Sequence, residues 1–169
     1  MIYNMIVAFD INNGIGKDNK IPWYISDDLK RFSKLTRAEG NNAIIMGRNT
    51  WESLPKKPLI KRDNLILSTT LNIEENSPKN TLVKSFNNIQ DIYLFCEKQD
   101  YDTVWIIGGS KIYEHFIDDK CLNNIYVTFV LKEYNCDRYF PALSEWKLTD
   151  NEYKIITDDL AVYYQIYTR

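Results

Sequence analysis

The sequence predicts an α/β protein built on one central, mixed and mostly parallel β-sheet flanked by helices, and three observations predict it. Short apolar runs of strand type alternate with helical segments over the first two thirds of the chain. The last third changes to segments that alternate apolar and polar residues in the manner of antiparallel strands. The 169 residues, 44% hydrophobic and 26% charged, suit one ordinary globular unit, expected to be a single domain over 1–169.

The elements follow in order. MIVAF (5–9) reads as a buried strand. NNGIGKDNKIPW (12–23) reads as a long irregular segment, in which Gly14 and Gly16 free the backbone and Pro22 restricts it. Ser26 is expected to N-cap a helix from Asp27 to Thr36, with Asp27 and Asp28 near the positive end of its dipole. AIIM (43–46) is a strand, and Asn49 with Glu52 reads as a capping box opening a second helix near WESL. NLILS (64–68) and TLVKS (81–85) are strands, and Ser85 is expected to cap a helix through IQDIYLFCEK. TVWII (103–107) is a further strand, followed by Gly108, Gly109 and a helix through KIYEHFI. NIYVTFVL, EYKIIT and VYYQIYT complete the sheet. Ligands of such sheets bind outside the carboxyl ends of the strands, so the loops after MIVAF, AIIM, NLILS and TVWII are the ones to search.

Composition excludes several functions. No apolar run is long enough to span a bilayer, and the first residues carry no basic segment ahead of an apolar stretch, so a cytoplasmic protein without membrane partners is expected. Cys96, Cys121 and Cys136 are widely spaced and form no CxxC, which favours reduced thiols over metal ligands. His115 is the only histidine, leaving little material for a His-based triad or a zinc site, and no metal is expected. A net charge of −2 gives no reason to expect a nucleic-acid partner. Lys56, Lys57, Lys61 and Arg62 cluster around Pro55 and Pro58, either as a solvated loop or as a landing site for an acidic small molecule. No apolar heptad is present, so a monomer is expected.

Three segments carry candidate chemistry. In SDDLKRFSKLT, Phe32 and Leu35 fall on the helical face of Asp28, whereas Asp27 sits over Arg31 and Lys34 and is expected to be solvated and ion-paired. No basic residue shares the stripe of Asp28. Its carboxylate is therefore satisfied either by the helix start or by a ligand with two adjacent N–H donors. In IIMGRNTWES, a glycine after a strand, then Arg48 and a helix start, suits a phosphate or forms an ordinary strand–helix corner. In VWIIGGSKIYE, the paired glycines either let the backbone approach a pyrophosphate or planar ring, or make a tight turn. This is no GxGxxG fingerprint, and no acidic residue follows at the required spacing, which excludes a Rossmann domain. Trp23 stands out because it follows Pro22 at the junction of loop and helix.

Taken together and in this order, GIGKDNKIPW, DLKRF, IIMGRNTWES, the Pro58–Arg62 element, NLILS, IIGGSKIYE, IYVT and DRYFP resemble dihydrofolate reductase from about Met5 to the C-terminus. The resemblance implies NADPH-dependent reduction of dihydrofolate to tetrahydrofolate, a step of one-carbon metabolism that antifolates block. The hydride goes to C6 and the proton to N5. Rival readings are a related pterin or pyrimidine reductase on the same fold and a non-catalytic folate- or nucleotide-binding protein.

The resemblance also implies roles for residues. Asp28 matches the carboxylate that binds the pterin, and Trp23 the tryptophan that helps hold a nearby water. Ile6, Ala8, Leu29, Phe32, Leu54, Ile107 and Thr128 match the substrate pocket. Arg62 matches the arginine that grips the glutamate carboxylate, with Lys57 as a second contact. For the cofactor, Ala8 and the loop Gly14, Ile15, Gly16, Lys17, Asp18, Asn19, Lys20 match the nicotinamide cover. Arg48, Asn49 and Thr50 match the phosphate-binding helix start. Ser68, Thr69 and Lys84 match contacts around the adenosine. Gly108, Gly109, Ser110, Lys111, Ile112 and Tyr113 match the pyrophosphate and nicotinamide contacts, with a cis Gly108–Gly109 peptide. NADPH is expected over NADH, since Arg48 and the hydroxyls suit a 2′-phosphate. The sequence departs from the family at Cys136, beside Asp137, at Ile60–Lys61, where Pro–Gly is common, and at Lys111, where arginine is common and forks onto phosphate.

Overall fold

A computed structural model describes residues 1–77 and 80–169. Its centre is a nine-stranded sheet in the order β10-β11-β8-β1-β7-β3-β4-β6-β5. The inner strands β1 (Ile2–Phe9), β3 (Asn42–Gly47), β4 (Asp63–Leu67), β6 (Thr81–Phe86), β7 (Thr103–Gly108) and β8 (Leu122–Val130) carry the apolar runs. The parallel pairs are β8 with β1, β1 with β7, β7 with β3, β3 with β4, and β4 with β6. Strands covered on both faces read as continuous apolar stretches, which is why IVAF and AIIM are legible as strands. β11 (Leu160–Thr168) runs antiparallel to β8, and β10 (Lys147–Thr157) antiparallel to β11. The C-terminal third is therefore not wholly antiparallel as expected, because β8 pairs in parallel with β1 along its length.

The two edge strands are β10 and β5 (Glu74–Ser77), and charged or polar side chains dominate both. That composition blunts edge-to-edge pairing. β5 went unpredicted because EENS has no apolar alternation. Two further short strands, β2 (Gly14–Gly16) and β9 (Arg138–Tyr139), pair outside the main sheet.

The helices are α1 (Ser26–Arg37), α2 (Arg48–Ser53), α3 (Ile89–Gln99) and α4 (Ser110–Phe116). Three expected caps are corrected. Ser26 lies inside α1, and the N-cap is Ile25 without a side-chain bond. Ile25 is buried with Val130, Val162 and Tyr164, so core burial fixes where the helix begins. Asn49 and Glu52 form no capping box. α2 starts at Arg48 directly from β3, and Glu52 pairs with Arg48 instead. Ser85 stays in β6, where its hydroxyl serves Ile73, and Asn88 caps α3 by accepting from the Asp91 N–H.

Alternation along the strands divides the core between the faces of the sheet. Met5, Val7 and Ile45 pack with Ile92 and Phe116 under α3 and α4. Ile6, Ile44, Met46, Trp51 and Trp105 pack on the other face with Phe32, Leu35, Leu54 and Ile107. The β1–β7 pairing ends at Met5 and Ile106, after which β1 continues with β8 and β7 with β3. The strand ends therefore part in the middle of the sheet, and a cleft opens at their carboxyl side.

Candidate active site

The cleft is framed where the strands part. The Tyr113 hydroxyl, on α4, lies 2.8 Å from both the Ile6 and Ile107 carbonyl oxygens, the first beyond the β1–β7 pairing. Ile6, Phe32, Leu54 and Ile107 are brought together in one apolar wall. Ala8 stands opposite Thr128 in the β1–β8 register. Leu29 projects from α1 with half of its surface exposed (50%) rather than joining the packed wall.

Asp28 lies in the first turn of α1, four positions before Phe32 of this wall. Thr128, 2% exposed, donates a hydrogen bond of 2.5 Å from Oγ1 to Asp28 Oδ1. Among the described residues Asp28 forms no ion pair within 4.0 Å, and the ion pairs present lie elsewhere. Burial pushes its carboxyl above the usual carboxylate range, while the Thr128 bond and the Arg31 charge pull it back down. This partner was out of reach of local reasoning, because Thr128 is distant in sequence. The expected surroundings of α1 are corrected as well. Asp27 pairs with Lys154 of β10 at 3.2 Å, not with Arg31 or Lys34. Arg31 stacks on Tyr164 and Tyr126, on the side of Asp28. Trp23 packs at 5.1 Å against Tyr134 beside the Ile25 cluster, next to the start of α1.

Arg62 is 5% exposed, yet among the described residues its Nε and Nη1 have no hydrogen-bond partner. Its guanidinium lies 5.8 Å from the centre of the Phe32 ring. Burial and the neighbouring Arg37 charge lower its pKa to about 10, so it stays cationic at neutral pH. The turn that carries it is fixed despite Ile60 and Lys61. The Asn64 side chain accepts from the Leu59 N–H and donates to the carbonyls of Leu59 and Arg62. Lys57 is committed elsewhere, over the Trp51 ring with Nζ 3.4 Å from the Glu52 carbonyl. Beside α1, Ser33, Lys34, Arg37, Glu39 and Lys61 line an open depression of about 350 Å³.

On the other side of the cleft, α2 and α4 begin at Gly47 and Gly109. Gly108–Gly109 is cis, as the sequence comparison implied. A Cβ on Gly109 would stand 3.3 Å from Thr50 Oγ1, and one on Gly108 would stand 3.1 Å from the Tyr113 hydroxyl at φ +119°. Side chains there would fill the trough between the two helix starts. Ser110 is half-buried, Ile112 is buried, and Lys111 and Asn49 are exposed. Arg48, its side chain 41% exposed, donates to Glu52 and Thr70. Ser68 is buried and accepts from the Thr70 and Leu71 N–H groups, whereas Thr69 is exposed. Thr69, Thr70, Leu71, Lys84 and Asp91 border a cavity of about 570 Å³. Lys84 pairs with Glu74 at its rim.

The segment 14–20 forms a short ribbon. Gly14 pairs with Tyr139 and Gly16 with Arg138. Beyond Ile15, which packs on the core, Lys17 and Lys20 close a turn through Asp18 and Asn19, both in the left-handed region. Asp10, buried and not singled out from the sequence, anchors the ribbon by accepting from the N–H groups of Asn12, Gly14 and Tyr134. The Cys136 thiol lies 3.7 Å from the same carboxylate, and a Cβ on Gly14 would overlap Cys136. Asp137 accepts from the Asp18 N–H at 3.0 Å. Cys96, Cys121 and Cys136 are all free. No cluster of three potential metal ligands occurs among the described residues, and no helix there is long and apolar enough to cross a membrane.

Fold and site together define a class: an α/β protein with a nine-stranded mixed sheet, a carboxylate without a counter-ion among the described residues at the start of its first helix, and a cis glycine pair at the end of an inner strand. Within that class the chain belongs to the dihydrofolate reductase family, whose model matches residues 2–169. It is similar to the dihydrofolate reductase of Drosophila melanogaster, 36% identical over 150 residues that cover 85% of this chain and 81% of the relative. The dihydrofolate reductase of Heliothis virescens is 31% identical over 180 aligned positions, covering 98% and 96%. That of Gallus gallus is 35% identical over 165, covering 92% and 83%.

Proposed function

We propose that this chain, one catalytic unit over residues 1–169, reduces dihydrofolate to tetrahydrofolate with NADPH, in the cytoplasm and as a monomer. The observation that carries the reading is the Asp28 carboxylate. It is held against the cleft wall with one oxygen engaged by Thr128 and no counter-ion in contact. A half-buried carboxylate in that state is stabilised by a ligand that brings paired N–H donors, as the pterin ring does at its ring nitrogen and 2-amino group.

Each part of the substrate then has a place. Ile6, Ala8, Leu29, Phe32, Leu54 and Ile107 enclose the pterin and aminobenzoyl rings, with Thr128 fixing the carboxylate that orients them. Arg62 offers a desolvated fork with two nitrogens unpartnered, which suits the glutamate carboxylate. Lys57 is left out of this contact, and Arg37 is the cation that acts on Arg62. Asp28 holds and polarises the ring, and the N5 proton arrives through water near Trp23 and Asp28.

The strand-end glycines fit the cofactor, because the absence of a Cβ at Gly47, Gly108 and Gly109 leaves their backbone open to close approach beside Thr50, Ile112 and Tyr113. Gly108, Gly109, Ser110, Lys111, Ile112 and Tyr113 would hold the pyrophosphate and nicotinamide. Arg48, Asn49, Thr50, Ser68, Thr69 and Lys84 would hold the adenosine and its 2′-phosphate. When bound, NADPH supplies the hydride for C6. Ala8 and the ribbon Gly14–Lys20 close over that position and exclude water.

The test is steady-state oxidation of NADPH with dihydrofolate, set beside other pterins and riboflavin-pathway pyrimidines and repeated with an antifolate. Turnover that requires dihydrofolate and stops with the antifolate is expected. NADPH binding without oxidation, or turnover of another heterocycle instead, would contradict it.

A further inference from the structure

Arg31 has no role in the reading above. Its guanidinium lies 4.6 Å from the centre of the Tyr164 ring and 6.0 Å from that of Tyr126. Among the described residues, its buried Nη1 has no hydrogen-bond partner and no carboxylate lies within ion-pair distance of Arg31. The same helix turn carries Asp28 three positions earlier, on the same face. Behind the two residues, Tyr164 stands directly opposite Thr128 in the β11–β8 register, and Thr128 is the partner of Asp28. Carboxylate, hydroxyl, ring and guanidinium thus close a loop between α1 and the sheet. A guanidinium held over aromatic rings is fixed without an acidic partner, so its charge stays available to its surroundings.

We propose that Arg31 is a positioning residue for Asp28: stacked on Tyr164 and Tyr126, it places a fixed positive charge behind the carboxylate and keeps Asp28 ionised and ready to accept the ring's N–H donors. The proposal rests on the reading of Asp28 as the ring-binding group. Its chemistry needs nothing beyond this chain. Burial favours the protonated form of Asp28, and Arg31 and the Thr128 bond oppose it. The other charged or titratable groups around the pair are few. Tyr113 of α4 and Tyr164 and Tyr126 of the sheet face it, and burial raises the phenols of Tyr113 and Tyr164. Glu152, opposite Tyr164 in the β10–β11 register, shares the field of Arg31. Asp27 is occupied by Lys154.

The experiment is a pH titration of the Asp28 carboxyl in the free protein, followed by NMR of isotope-labelled aspartate and assigned with Asp28→Asn. It is made on wild type, Arg31→Gln, Arg31→Lys and Glu152→Gln, with kcat/KM for dihydrofolate measured across the same pH range. In Arg31→Gln the titration moves up by about one pH unit, the lower end of what a nearby opposite charge produces. The acid limb of kcat/KM moves with it. Arg31→Lys restores part of the shift, because charge returns without the flat stack. Glu152→Gln leaves the stack and the Asp28 titration unmoved, and Arg31→Lys keeps the proposal testable even if Arg31→Gln does not fold. An Asp28 titration that is unmoved in both Arg31 variants, with only the unfolding temperature lowered, would overturn it and leave Arg31 as scaffold. The titration needs no substrate, so it fails independently of the dihydrofolate assay.

Discussion

Two arginines border the cleft, and they are prepared for anions in opposite ways. Arg62 is buried, stacked near Phe32, and presents two unpartnered nitrogens from a turn clamped by Asn64. Arg48 is half-exposed and already donates to Glu52 and Thr70. A buried, unpartnered guanidinium is pre-organised, and an anion that reaches it finds little competing water. An exposed one must first exchange partners, and salt screens its attraction. The Arg62 side is thus desolvated, and the Arg48 side is exposed and ionic.

That contrast can be broken by mutation. The larger effect is expected at Arg62. Arg62→Leu keeps packing against Phe32 but removes the fork, so KM for dihydrofolate rises by about 30-fold or more, matching the roughly 2–5 kcal/mol of a desolvated charge pair. KM for NADPH and the unfolding temperature stay nearly unchanged. If both KM values rise together, the two walls are not separate. Arg48→Gln comes next. KM for NADPH rises by about tenfold, the preference over NADH shrinks, and the dependence of that KM on salt weakens. A variant with full preference for NADPH would remove Arg48 from the 2′-phosphate.

The smallest effect separates stability from function at Asp28. Its pKa is raised in the folded protein, so the native state holds a proton over the window between the unfolded and folded values. Stability from this group is present below the unfolded value and is lost as pH rises through the folded one. Asp28→Asn is therefore expected to unfold at a higher temperature than wild type at neutral pH, with the gain shrinking in acid. Thermal unfolding across pH checks this, and a variant less stable than wild type at neutral pH would contradict it.

The sequence makes the two walls legible to different degrees. MIVAF, AIIM and TVWII declare the inner strands because burial on both faces needs nothing but apolar side chains. The paired glycines and Asp28 are visible because a strand-end glycine pair and an acid on an apolar helical face are locally conspicuous. Thr128 and Tyr164 act across long stretches of chain, and no local pattern links them to Asp28 or Arg31. Caps fail for a related reason: burial of Ile25 outweighs the side-chain bond Ser26 would offer, and α2 begins where β3 ends. Arg31 is misjudged because helical spacing allots it to Asp27 as readily as to Asp28, and only the tyrosines of the sheet decide between them.

The most direct test of the Asp28 account is single-turnover reduction of dihydrofolate by Asp28→Asn against wild type from mildly acidic to basic pH. An asparagine of the same shape lacks the ionised group that binds and polarises the ring. The rate is expected to fall by about 10²–10⁴-fold at neutral pH. The deficit narrows in acid, where the substrate arrives already protonated. A variant that keeps the wild-type rate across that range would contradict the role given to Asp28.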